Sequence, residues 1–339
     1  MKARLIVLAV FVSASAVPGL LAYSTGMFAA GATSDDGPLR ASAEFRVTSL
    51  GWPGEALGLA TPAQGVVWEQ RSSDAAGGLW TYDVPSQQAS RVLRPAELGR
   101  TAGPPSASGT TVVWTVRAAD GGATRVRGFD SQTHRRFTAT AHGRSAVVTG
   151  DTIAWVDTSR GRGSAHTGVA GLDAVTDARF TLDTGGRVRE VVATGGRVAW
   201  LAAGTGGGVW VAERRTGRRS RLATSGTGIT MDTRRLVWAS HLAQGAFAVR
   251  AWNPRSRHSK ELCRARGRVS GLALGNGLAV WVQDTGRGDV WAYDFNRRRA
   301  FAVCDNGAPQ ANAVVVGRTV FWADKRSGEW ELYGRSLQP

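Results

Sequence analysis

Three carboxylate and guanidinium spacings are the first places where this sequence could do chemistry: Asp157 with Arg160, Asp284 with Arg287, and Asp324 with Arg326. A carboxylate two or three residues before an arginine can cap a turn or close an ion pair. If several copies converge, it can also help hold an anion or a sugar. Local structural ion pairs are the simplest reading of all three. The five histidines, His134, His142, His166, His241 and His258, stand in no H-E-x-x-H, H-x-H or mixed Cys/His spacing, so no metal site is expected. No G-x-S-x-G elbow, phosphate-binding glycine loop or dinucleotide fingerprint occurs, and Ser164 and Ser225 lie in glycine-rich stretches that read as turns. The residues therefore point to no catalytic group and no cofactor.

Charge is the stronger chemical signal. Forty-two Lys and Arg oppose 26 Asp and Glu, for a net charge of +16. Most of the cations are arginine, whose planar fork suits phosphate and carboxylate and does not titrate away. Arg135, Arg136, Arg214, Arg215, Arg218, Arg219, Arg255, Arg257, Arg297, Arg298 and Arg299 form one recurring set, and Arg197, Arg234, Arg235 and Arg318 a second. Such a set predicts an anionic partner, either a membrane surface, an acidic wall polymer or an envelope protein, with ~1 kcal/mol per cation near an anionic bilayer. Solubility alone is the competing explanation. Nucleic acid is disfavoured because no reading module accompanies the basic residues.

The elements that must position these residues emerge from a repeat. A β-branched or aliphatic run ending in tryptophan recurs as VVW68, VVW114, IAW155, VAW200, LVW238, AVW281 and VFW322, spaced 46, 41, 45, 38, 43 and 41 residues apart. Each tryptophan run is followed by a polar loop and a second run, which in all repeats but the last ends on a short acceptor, at Asp83, Asp130, Asp173, Glu213, Asn253 and Asp294. These acceptors read as turn formers, because Asx side chains bond their own backbone two or three residues on. A third run follows (RRFTAT, RAFAVC), then a fourth (AVVTG, AVVVG) that leads into the next glycine turn.

Four short strands per repeat and seven repeats predict an all-β protein, a seven-bladed β-propeller of four-stranded antiparallel blades. We letter the strands of a blade a to d from the inside out, with the tryptophan on b. The last repeat ends after c, and the missing d strand is found at the other end of the chain, where ASAEFRVTSL at 41–50 resembles the other d strands. Pairing Ala43–Leu50 beside Tyr333 closes the ring and covers two sheet edges. The wide indoles of the b strands are expected to fill the wedges between blades. In this frame both arginine sets fall in c-to-d and a-to-b turns, or on the strands leaving them, and so predict one positive end of the ring. Ligand contacts are expected from the loops of the opposite end, including the Pro/Gly-rich segment from Pro95 to Ser108.

The first 32 residues differ. Lys2 and Arg4 precede an uncharged run from Leu5 to Ala30, which reads as a signal peptide with small-residue cleavage signals at Ala14-Ser15-Ala16 and Ala30-Gly31-Ala32. Uncleaved, its 26 residues at about 1.5 Å each could span a bilayer as an anchor, although Pro18 and Gly19 interrupt it. The expected organisation is a signal peptide or anchor at 1–32, a linker at 33–42 and the propeller at 43–339, in a secreted or extracytoplasmic monomer. Cys263 and Cys304 fall 41 residues apart at the ends of successive d strands, too far apart for a disulfide unless the chain bends, and are expected as free thiols.

FWADKRSGEWELY at 321–333, AVWVQDTGRGDVWAYDF at 279–295 and IAWVDTSRGRGS at 153–164 resemble the TolB-like propeller repeats of envelope proteins. The resemblance spans about residues 43–339. It implies a periplasmic or extracellular propeller that binds or scaffolds, and it implies no reaction. The segments after Trp200 and Trp238 lack the Asp and Arg of that pattern. The function expected is therefore noncatalytic binding at the cell envelope. The alternative is a propeller hydrolase or lyase acting on cell-wall carbohydrate.

Overall fold

The structure, a computed structural model, describes residues 42–52, 59–60, 64–70, 77–118, 124–159, 167–182, 184, 186–242 and 245–338. The expected signal segment and Arg160 lie outside them. No helix among the described residues is long and apolar enough to cross a membrane.

The described strands form seven four-stranded antiparallel sheets, one for each tryptophan repeat. In blade 3, for example, Gly143–Thr149 is strand a, Thr152–Asp157 b, Gly168–Asp173 c and Arg179–Leu182 d. The turns joining a to b and c to d touch in blades 1 to 4 and in blade 6: the Ala174 N–H donates to the Asp151 carbonyl, Arg214 to Gly196 and Phe295 to Gly277. Those two turn types therefore share one end of the ring, and the b-to-c and d-to-a connections share the other. The a strands of successive blades pack side by side around the axis, and the short a strand of blade 1, Leu59–Ala60, contacts those of blades 2 and 7.

The core lies between blades. Seven apolar clusters each combine side chains of two neighbouring sheets, and each tryptophan of a b strand sits in the seam with the preceding blade. Trp68, Trp200, Trp238, Trp281 and Trp322 are the largest side chains with almost no exposure. Each indole withdraws roughly 150–250 Å² from water, which at ~25 cal/mol/Å² is about 4–6 kcal/mol gross per seam. The b strands are buried along nearly their whole length because sheets cover both of their faces, whereas the outer d strands are mostly exposed.

The seventh sheet is completed by the start of the propeller. Phe45–Trp52 pairs antiparallel with Trp330–Ser336, placing Phe45 opposite Gly334. The same arrangement recurs in blades 2 and 3, where Phe137 lies opposite Gly128 and Phe180 opposite Gly171. An added Cβ at Gly128, Gly171 or Gly334 would come within 2.1, 2.3 or 2.6 Å of the covering ring. In these three blades the d-strand phenylalanine lies over a glycine on c, whereas in blade 6 Phe301 lies opposite Ala292, and Phe45 shares the glycine arrangement as a d-strand residue. The seam is then locked by polar contacts: Ser42 N–H donates to the Ser336 carbonyl, Arg46 pairs with Glu331 at 2.9 Å, and Arg326 pairs with Glu44 at 2.6 Å.

The segment from Pro95 to Ser108 is more ordered than a plain loop. Pro95–Leu98 is one helical turn, and Ser106–Ser108 is the a strand of blade 2. Pro95 suits the first helical position, Glu97 accepts the Arg94 N–H at 2.8 Å, and the Trp114 indole donates to the Leu98 carbonyl at 3.1 Å, seating the turn in the seam between blades 1 and 2.

Candidate functional site

The c-to-d turns are built alike. The Oδ1 of Asp130 accepts the N–H groups of Gln132 and Thr133 at 2.9 and 2.8 Å, and Asp173, Asn253 and Asp294 repeat the pattern. Four residues after each acceptor the chain enters the left-handed region, at Gln87, His134, Asp177, Gly217, Arg257 and Arg298. The short acceptors therefore shape turns, and in blades 4, 5 and 6 arginines fill other turn positions. The backbone N–H of Thr176 leads in holding the Asp173 carboxyl below its ordinary range, and Arg214 adds to the effect. For Asp294, burial pushes the carboxyl up but is outweighed by N–H groups of the turn and by Arg318.

Of the recurring arginines, Arg136 is paired with Glu97. Arg214 crosses a seam from blade 4 to Asp173 of blade 3 at 3.4 Å, and its other amino group donates to Thr152 Oγ1 at 2.8 Å. Arg318 makes the same kind of crossing from blade 7 to Asp294 of blade 6 at 3.2 Å. Arg135 and Arg219 lie over the rings of Phe137 and Trp210, each about 6.0 Å from the centroid. Arg297, within its own turn, is half-buried. Arg215, Arg218, Arg255, Arg257, Arg298 and Arg299 are exposed and have no ion-pair partner among the described residues.

Cations are not confined to that end. Arg100, Arg117, Arg187, Arg189, Arg266 and Arg268 are exposed near the b-to-c and d-to-a connections. The sequence places them on strand ends or in connections that only the ring geometry brings to one side.

The three Asp/Arg spacings behave differently from one another. Asp324 and Arg326 form an ion pair at 2.6 Å. Asp284 and Arg287 do not pair: Asp284 caps its own turn through the Gly286 N–H at 2.9 Å, and Arg287 reaches the Gly307 carbonyl at 3.2 Å. The glycine at 286 lets the chain turn away before the arginine can fold back. Asp157 accepts the Ser159 N–H and hydroxyl, both at 2.9 Å, while Arg160 lies outside the described residues.

Two clefts open at the ring ends. One, of about 630 Å³, sits between blades 3 and 4 at the end carrying the a-to-b and c-to-d turns, and includes Asp173, Arg179, Phe180, Arg197, Arg214 and Arg215. Reading the repeats one at a time misses Arg179 and Phe180 as site residues. Laying the c-to-d turn of one repeat beside the a-to-b turn of the next would have found them. The other cleft, of about 610 Å³, lies between blades 1 and 2 at the opposite end, where Pro95, Leu98 and Arg100 face Glu69. Glu69 accepts the Thr101 hydroxyl at 2.6 Å. It is bordered by the expected ligand-contacting segment.

Both cysteines are free thiols, and burial pushes each thiol up to about 12. Among the described residues no group of three His, Cys, Asp or Glu side chains is placed to hold a metal ion.

No described family and no curated protein matches this sequence. Solved structures do match the fold. An oligogalacturonate lyase in complex with manganese superposes with a TM-score of 0.61 at 12% identity, over 89% of this chain and 97% of that one. The β-propeller domain of the Trilobed protease from Pyrococcus furiosus, described as having an open velcro topology, gives 0.62 at 9% identity over 86% and 94%. The RRP9 WD40 repeats give 0.59 at 12% over 89% and 100%. At these identities the likeness is one of fold, and the three include an enzyme, a protease domain and a repeat domain.

Proposed function

We propose that this protein is an exported, noncatalytic binding propeller of the cell envelope, which engages an anionic polymer or an acidic protein surface through the ring end bearing the c-to-d turns. The observation that carries the reading is the row of exposed arginines on those turns and the strand leaving one of them, Arg215, Arg218, Arg255, Arg257, Arg298 and Arg299, which have no ion-pair partner among the described residues. An arginine used for structure finds a carboxylate, a carbonyl or a ring, as Arg214 and Arg318 do. Cations left free on rigid turns keep their charge available to a partner, and they raise its local concentration and rate of encounter. Export rests on the uncharged Leu5–Ala30 run behind Lys2 and Arg4, and kinship with the TolB-like propellers rests on the short motifs around Trp155, Trp281 and Trp322.

The test is co-sedimentation with anionic vesicles and with wall polymer across a salt series, beside a turnover assay on acidic and neutral wall polysaccharides. Binding that weakens steeply with salt and no turnover is the expected outcome. Turnover of any of those substrates would remove the noncatalytic reading, and absence of binding at low salt would remove the anionic partner.

A further inference from the structure

We infer that the cleft between blades 3 and 4 is a discrete site for an oligoanion, a chain segment bearing at least two phosphate or carboxylate groups. This rests on the reading of the protein as an anion binder and narrows it to one seam of the ring. Four guanidinium groups, from Arg179, Arg197, Arg214 and Arg215, share the cleft with two carboxylates, Asp173 and Glu213. Asp173 is committed to Arg214 and to the N–H groups of its own turn, and Glu213 accepts the Thr216 hydroxyl at 3.1 Å. Four cations thus outnumber two carboxylates: Glu213 stands opposite Arg197 in the strand register without an ion pair, Arg179, Arg197 and Arg215 have no ion-pair partner among the described residues, and Arg197 is half-buried there.

Like charges gathered in one cleft repel, and the repulsion grows as the surroundings become less aqueous. A ligand carrying several negative charges removes that cost, whereas a single chloride or hydration removes it incompletely. The volume of about 630 Å³ is many times the ~30 Å³ share of one water, so the site has room for more than one oxyanion group. One wall is already rigid: Arg214 is held by Asp173 and Thr152, and its guanidinium lies 5.8 Å over the Phe180 ring, which itself rests on Gly171. The opposite wall carries Gly195 and Gly196, where an added Cβ would meet nothing within 4 Å, leaving the backbone open to approach. The seam between blades 6 and 7 is the contrast, since its Arg318 is consumed by Asp294 and the Leu337 carbonyl.

The experiment is calorimetric titration of the full chain with tripolyphosphate and trigalacturonate, the two sources of the shared oxyanion chemistry, and with inorganic phosphate as the single-group control. The variants are R179Q/R197Q/R215Q and, with the same loss of charge at the opposite end of the ring, R187Q/R189Q/R268Q. Matching far-UV circular dichroism and melting temperature establish that both fold. We expect one-site binding of at least one oligoanion, at least tenfold weaker binding of inorganic phosphate, a tenfold or larger loss in the cleft variant and less than threefold in the control. Equal losses in the two variants would overturn the discrete site while leaving a diffuse anionic partner intact. No binding of either oligoanion to the unaltered protein would overturn both.

Discussion

Arg326→Ala should loosen the closure of the ring, and the structure sets the size of the effect. Arg326 meets the fully buried Asp324 at 2.6 Å and Glu44 of the N-terminal strand at 2.6 Å, and its guanidinium lies 4.1 Å over the Tyr333 ring. Removing it leaves Asp324 with the Trp322 indole at 3.1 Å and the Asn306 amide at 3.0 Å, but with no cation. Removing one partner of a buried pair costs ~3–5 kcal/mol. Because the Arg326 side chain keeps 29% of its exposure, about 3 kcal/mol is expected. Glu44→Gln, which breaks the shallower pair and a longer contact with Arg335 at 3.8 Å, should cost about 1 kcal/mol.

The sign of the pH dependence follows from Asp324. Burial pushes its carboxyl up, but Arg326 and the indole outweigh burial and hold it below the ordinary carboxylate range. Its contribution is then complete above the unfolded-state value and is lost as pH falls through the lower folded value. Without Arg326 the burial effect prevails, the carboxyl rises, and protonation relieves the variant. The gap between the two proteins should therefore narrow as pH falls from 7 to about 3. Urea unfolding of R326A, D324N and the double variant at both pH values measures this, with an expected coupling of about 2 kcal/mol. A cost for R326A below about 1 kcal/mol, or a gap that widens on acidification, would refute the clasp.

Deleting residues 42–50 should lower the melting temperature and promote association, since the edge of Trp330–Ser336 loses its partner; melting unchanged by the deletion would contradict the closure. Gly171→Ala should cost about 1–3 kcal/mol in denaturant unfolding because the new methyl meets Phe180 and the Ile153 carbonyl, and pairing it with Phe180→Ala should recover part of the loss. Native protein treated with a thiol reagent at pH 7.5 should label slowly at both cysteines, whose thiols stand near 12, and denatured protein should label two per chain. Rapid native labelling would show that one thiol is more open than its surroundings imply.

The number of blades, their strand order and the early end of the chain could be read from residues alone. The reason is that a blade is a local object. VVW68 pairs with the strand of Trp80 and VFW322 with that of Tyr333 through short connections, so the repeat of tryptophan, glycine and Asx residues carries the whole sheet. Even the closure was legible, because a d strand has a recognisable pattern and one was missing. The traffic between blades was not. Whether an arginine is spent depends on what the neighbouring sheet brings within reach of a long side chain. Arg214 is neutralised by Asp173 of the preceding blade, 41 residues earlier, and Arg318 by Asp294 of the preceding blade, 24 residues earlier, while Arg197 has no ion-pair partner among the described residues. Asp284 and Arg287 show the same limit from the other side, since their spacing matches a pair but the turn at Gly286 sends them to different partners. Spacing along the chain therefore determined the sheets, and the stacking of those sheets around the axis decided which charges remain free to bind.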